Sequence, residues 1–171
     1  LRVQGLFVKL GVSVYEAAEI EMILSRRAGA VDFVQLPYSV FDQRLRPWLP
    51  RLRQAGIGVI SRSTLLKGMI PAAEERLPAW LSGLKPAKAR LRRLAERAGL
   101  DAQSLALLSC ALEPDIDCTL IGVDSPAEVH AAADALEAAA KIAGLDGELR
   151  ALAVEDPKLV DPRLWAELGF R

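Results

Sequence analysis

The chain has 171 residues, 51% of them hydrophobic, with 22 basic and 22 acidic side chains. Zero formal charge lacks the basic excess of a dedicated nucleic-acid binder, and a half-apolar, charge-balanced composition is not that of a disordered tail. One domain with a sizeable core is expected, but the length is short of the roughly 200 residues or more of a closed eight-stranded β/α barrel.

Phe7 to Val14 is predicted as a strand, apolar and β-branched, with Gly11 inside it. Between Glu16 and Arg27, Ala17, Ile20, Ile23 and Leu24 recur at helical spacing, and Gly29 follows as a C′ residue. Val31 to Leu36 reads as a second strand, stopped by Pro37. Leu45, Leu49 and Leu52 share one face of a helix over Leu45 to Ala55. Pro47 and Pro50 require a place in its first turn or a later start. Ile57 to Ser61 is the third strand.

Thr64 to Leu84, with Gly68, Pro71, Pro78 and Gly83, reads as a loop holding a short helical piece. Pro86 to Ala98 is a basic helix capped by Gly99, and Asp101 is the N-cap of the next helix, which runs to Leu112. Cys118 to Val123 is the fourth strand. Ser125-Pro126-Ala127-Glu128 is a capping box with Pro at the first helical position, opening a helix to about Ala143. The tail from Gly144 is partly helical, with turns at Asp156-Pro157 and Asp161-Pro162. Four strands alternating with helices predict an α/β domain with a parallel sheet. Its helices lie on one side if the sheet curls, and on both if it is open.

Because the chain opens on Leu1 rather than Met, further sequence is expected ahead of it in the gene, or to have been removed. No segment before Gly11 has the apolar stretch of a signal peptide, and no run approaches the ~20 apolar residues of a membrane span. Cys110 and Cys118 form no disulfide pattern, so a cytoplasmic, reduced setting is expected. Two cysteines and the distant His130 fall short of a zinc site.

Four strings then stand out. Lys9-Leu10-Gly11-Val12-Ser13 resembles the "IGVS" strand of aldo-keto reductases. Asp32-Phe33-Val34-Gln35-Leu36-Pro37-Tyr38-Ser39 is similar to the family's next strand. Gly56 to Gly68, read G-I-G-V-I-S-R-S-T-L-L-K-G, is similar to the strand and loop after that. Leu120 to Glu128 is similar to the last barrel strand and its cofactor loop. The resemblance covers nearly the whole chain and the second half of the family fold only. It implies a partial (half) β/α TIM-type barrel of about four βα units, strands five to eight, with the 144–171 tail packed on a single 1–171 domain.

The resemblance also implies a function. The family reduces carbonyls by hydride transfer from NAD(P)H, with a tyrosine proton donor helped by a lysine, an aspartate and a histidine. Those four lie in the first half of the family chain, so no catalytic residue is assigned here. Tyr15, Tyr38 and His130 match none of them. Without a general acid, worth roughly 10²–10⁴-fold, the chain alone is expected to be inactive.

The cofactor half of the site is better represented. Ser13 matches the family serine that bonds the nicotinamide amide, although the usual residue after it, Asn, is Val14 here, and Gln35 matches the family glutamine beneath the nicotinamide. Arg62 stands at the family's stacking tyrosine, and Ser63, Leu65 and Gly68 match the pyrophosphate loop. Gly122 and Ser125 match at the adenosine end, where Asp124, Glu128 and Ala132 depart from the pattern. Two carboxylates there repel a 2′-phosphate, so NAD is favoured over NADP, with binding weakened or lost altogether.

Plainer roles stand beside these. Ser125 and Glu128 cap a helix without any ligand. Gln35 and Ser13 serve equally as strand residues bonded to backbone, Arg62 as an ion-pair partner, and His130 as a solvated helix residue. The basic stretch Lys85 to Arg97 has no interleaved aromatics and reads as a solvated helix face rather than a nucleic-acid patch.

Three functions follow. The first is the NAD(P)-binding half of an aldo-keto reductase-like oxidoreductase, completed by a first-half polypeptide and taking a small carbonyl substrate only then. The second is a non-catalytic scaffold whose open sheet edges pair two copies into an eight-stranded barrel. The third is a nucleotide-binding sensor.

Overall fold

The computed structural model describes residues 4–26 and 28–168. Its centre is one four-stranded sheet in the order β1 (Gly11–Ser13), β2 (Phe33–Pro37), β3 (Gly58–Arg62), β4 (Cys118–Thr119), every pair parallel. The helices are α1 (Ala17–Arg26), α2 (Leu49–Gln54), α3 (Lys85–Ala98), α4 (Ala102–Ala111), α5 (Pro126–Glu137), α6 (Asp146–Arg150) and α7 (Pro157–Val160).

Burial alternates along β2 and β3 with period two. Val34, Leu36 and Val59 face a buried cluster containing Ile20 and Ile23 of α1, Leu49 and Leu52 of α2, and Cys110 of α4. Phe33, Gln35, Ile60 and Arg62 point to the other, half-buried face. These helices thus pack on one face of the sheet, the curled arrangement rather than the open one. A second cluster joins α3, α4 and the tail: Leu84, Leu91, Leu105 and Leu108 meet Leu149, Leu152, Val160 and the fully buried Trp165.

Several elements depart from the sequence expectation. The first strand is Gly11–Ser13 rather than 7–14, because β1 pairs only with β2 and only over three residues. The fourth is Cys118–Thr119 rather than 118–123, since its register with β3 stops at Ser61 and Thr119. The two prolines split the 45–55 helix into a 3-10 turn, Arg46–Trp48, and α2, with a proline at the start of each. Gly29 sits inside a 3-10 turn, Ala28–Ala30, instead of acting as a left-handed cap. Arg27, the expected end of the first helix, lies outside the described residues. The last long helix stops at Glu137, and a 3-10 turn, Ala139–Ile142, follows. Gly99 closes α3 in the left-handed conformation at φ 63°, as glycine allows at little cost.

Candidate functional site

The site lies at the C-terminal ends of the strands, where the chain leaves the sheet in loops. Ser13 and Gln35 are register partners on β1 and β2. Ser13 is exposed and Gln35 half-buried, and neither polar side chain is hydrogen-bonded among the described residues. Arg62 ends β3, in register with Pro37. Its Nη2 donates to the Val14 carbonyl at 3.1 Å, and its Cζ lies 3.9 Å from the centroid of the Tyr15 ring. No carboxylate forms a salt bridge with Arg62 among the described residues, although its charge helps to lower the Glu19 pKa.

After β3 the backbone turns tightly. Ser63, Leu66, Lys67 and Gly68 all have positive φ, at 60°, 50°, 50° and 79°. Such a run is rare for residues with a Cβ and costs energy at each position. Three contacts hold it. Leu66 is fully buried. Thr64 Oγ1 donates to the Leu120 carbonyl at 2.8 Å, tying this loop to the end of β4. Lys88, only 7% exposed on α3, donates its ammonium to the carbonyls of Met69, at 2.6 Å, and Ile70. Burial lowers the Lys88 pKa from its ordinary value.

The loops after β3 and β4 enclose a cavity of about 550 Å³. Ser63, Leu65, Gly68 and Gly122 line it, with Asp124, Glu128 and Ala132 at the α5 end. Ser13, Gln35, Arg62 and Ser125 are not part of its wall. A Cβ built at Gly68 or Gly122 would meet nothing within 4 Å, so the backbone is open to the cavity at both. At the head of α5, Ser125 Oγ accepts the Glu128 N–H at 3.3 Å, and the Glu128 carboxylate accepts the Asp124 N–H at 2.9 Å. The capping role of Ser125 and Glu128 is therefore structural fact, and it sets a carboxylate at the cavity wall.

Tyr38 and His130 lie away from this cavity. The Tyr38 hydroxyl donates to Glu113 at 2.9 Å, and burial and the Glu113 charge raise its pKa. His130 is exposed on α5. Cys110 is fully buried, which pushes its thiol up to about 12. Among the described residues no group of three His, Cys, Asp or Glu side chains could hold a metal ion. No described helix is long and apolar enough to cross a membrane.

Sequence reading did not single out Lys88 or Thr64. Lys88 was grouped with a solvated basic face, yet it stands four residues after Leu84 and three before Leu91, both buried. That helical spacing places it on the apolar side of α3.

Parallel strands with helices packed on one face, and a cleft at their C-terminal ends, define a β/α-barrel type of domain. The aldo/keto reductase family model matches residues 1–143, and the chain belongs to that family, whose members generally use NAD(P)H. The fold agrees with solved structures. An aldo-keto reductase from Bacillus halodurans, AKR11C1, superposes in its holo form with a TM-score of 0.75 at 22% identity, over 91% of this chain and 54% of that one. Its apo form gives 0.72 at 22% identity with the same coverage. A thermostable aldo-keto reductase solved with the inhibitor epalrestat gives 0.65 at 17% identity, over 88% and 50%. The chain thus spans about half the length of these structures and has the architecture of a partial barrel. No curated protein matches it.

Proposed function

We propose that this chain is the dinucleotide-binding, C-terminal half of an aldo-keto reductase-type oxidoreductase, strands five to eight of the barrel, and that it carries no general acid of its own. The observation that supports the reading best is the cavity between the loops after β3 and β4, with bare backbone at Gly68 and Gly122. Backbone N–H groups reach a pyrophosphate only where no side chain intervenes. Ser63, Leu65, Gly68 and Gly122 would hold that part of NAD(P)H, with Ser125 at the adjacent helix start. Ser13 and Gln35 would bond the carboxamide, since an amide and a hydroxyl offer both donor and acceptor. Arg62 would lie against the ring. When bound, the cofactor supplies hydride for carbonyl reduction. Asp124 and Glu128 select NAD over NADP by repelling a 2′-phosphate.

The test is complementation. The chain is mixed with a polypeptide spanning the first four βα units of a family member, then given NADH and a small aldehyde. Turnover in the mixture, and none with either polypeptide alone, is expected. A mixture that binds NADH and forms a complex yet shows no turnover counts against the reading.

A second reading has its own support. Leu6, Val8 and Leu10 before β1 are 69%, 83% and 38% exposed, and Leu120 and Val123 after β4 are 43% and 41% exposed. Apolar side chains flanking the two edge strands, each open on one side, suit a partner that closes the barrel, either the first-half polypeptide or a second copy of this chain. Sedimentation that gives a monomer at every concentration removes the second copy. If a dimer forms and no dinucleotide binds, the scaffold function is favoured over both the enzyme and the sensor.

A further inference from the structure

Two guanidinium groups lie against the Tyr15 ring. The Cζ of Arg62 is 3.9 Å from its centroid, and that of Arg163 is 4.0 Å. Both contacts are well inside the ~6 Å range of a cation–π interaction. The two arginines are far apart in the sequence: Arg62 ends β3, while Arg163 lies in the tail's 3-10 segment, Pro162–Leu168. The Tyr15 backbone is also fixed, because its N–H donates to the Glu19 carboxylate at 2.7 Å.

The outer layer is braced by a chain of charges. Arg163 pairs with Glu16 and with Asp161, which is buried. Asp161 lies 3.5 Å from Arg44, and Arg44 in turn binds Asp42 through two hydrogen bonds at 2.8 and 2.9 Å. Arg163 and Arg44 therefore have their charge neutralised in place. Arg62 forms no salt bridge among the described residues and is held by the Tyr15 ring and the Val14 carbonyl, with the Glu19 carboxylate near enough to feel its charge.

We infer that Tyr15 is a positioning residue for the cofactor ring: backed by Arg163, it fixes the Arg62 guanidinium at the strand ends so that the side turned away from Tyr15 is preset to receive a nicotinamide. The inference rests on the reading of Arg62 as a cofactor contact. An arginine side chain has high rotamer entropy, and one locked before binding loses less on binding. Tyr15 thereby supplies the rigidity that an aromatic residue at position 62 would have had by itself.

Calorimetric titration of the whole chain with NADH and, separately, with ADP-ribose tests this, because ADP-ribose lacks the ring. Tyr15→Leu should weaken NADH about tenfold and leave ADP-ribose within about twofold. Tyr15→Phe, which keeps the ring, should bind NADH like the wild type. Arg163→Gln, which removes the second guanidinium together with its ion pairs to Glu16 and Asp161, should shift NADH in the same direction by less. Circular dichroism of each variant checks the fold. Equal weakening of both ligands by Tyr15→Leu and Arg163→Gln would show a general scaffold role and overturn the inference. Unchanged NADH affinity in both variants overturns it too. A wild type that binds neither ligand overturns the dinucleotide reading and this inference with it, whereas a wild type that binds both equally tightly overturns this inference alone.

Discussion

The Lys88 ammonium donates to the Met69 carbonyl at 2.6 Å from inside the core, and so joins α3 to the strained loop after β3. An amine buried this far keeps its charge only by replacing water with protein acceptors, and two loop carbonyls do so here. Lys88→Met keeps the length and removes the donors. Leaving those carbonyls unpaired costs about 1–3 kcal/mol, to be read by urea unfolding. Because the same loop lines the cavity, NADH affinity should fall as well, while Lys85→Met, on the exposed side of α3, should change neither.

Gly11 faces Phe33 so closely that a Cβ on it would lie 2.1 Å from the ring. The two residues are register partners on β1 and β2, so backbone cannot move away without breaking the sheet. Gly11→Ala should destabilise the chain by about 1–3 kcal/mol. The double variant Gly11→Ala/Phe33→Leu should recover part of that loss, since a smaller side chain makes the room. Denaturant midpoints of the four proteins in the cycle give the coupling directly.

The adenosine end offers a change of specificity. Asp124 and Glu128 both line the cavity at the α5 end, which the proposal assigns to the adenosine. Asp124→Lys with Glu128→Gln removes two negative charges and adds a positive one. The ratio of NADPH to NADH affinity should rise by about tenfold or more, measured at low salt, where such charges are least screened. Glu128→Gln retains an oxygen to accept the Asp124 N–H, so the helix start should survive.

Acid should loosen the braces around Tyr15 first. The backbone N–H groups of Tyr15 and Glu16, helped by the charges of Arg163 and Arg62, hold the Glu19 carboxyl below its ordinary pKa against the opposing effect of burial. For Asp161 burial is the largest single influence and acts upward. The hydrogen bonds and charge of Arg163, with Arg44 beside them, outweigh it and leave the carboxyl low. Depressed carboxylates contribute stability that is present above their unfolded values, about pH 4, and lost as pH falls through the lower folded ones. Tyrosine fluorescence and thermal unfolding between pH 6 and 2 should show this loss (roughly the acid limb of a carboxylate titration). Asp161→Asn should remove part of it.

The sheet was legible in the sequence because its strands are short apolar runs divided by helical spacing, and because Gly56, Pro37 and Gly99 punctuate them where the backbone requires it. Which side the helices take was not, since right-handed crossovers are compatible with both curled and open sheets. The strand ends were over-extended for a related reason: apolar composition at Phe7 to Leu10 and at Leu120 to Val123 does not reveal whether a pairing strand lies beside them. In the site, Ser63, Leu65, Gly68 and Gly122 were found by their motif and come together around one cavity. Tyr15 was passed over because its partner Arg163 is 148 positions further along, in a tail whose packing depends on Trp165 and Val160 entering the core. No local pattern carries such a contact.

The central claim is that the loops after β3 and β4 hold a nicotinamide dinucleotide. Calorimetric titration of the chain with NADH, beside Gly68→Val, tests it most directly. Gly68 sits at φ 79° with open space where its side chain would be, so a β-branched residue both strains the loop and fills the cavity. Saturable one-to-one binding to the wild type, weakened about tenfold or more by Gly68→Val, is the expected result. No heat with NADH, or equal affinity for the two proteins, would contradict it.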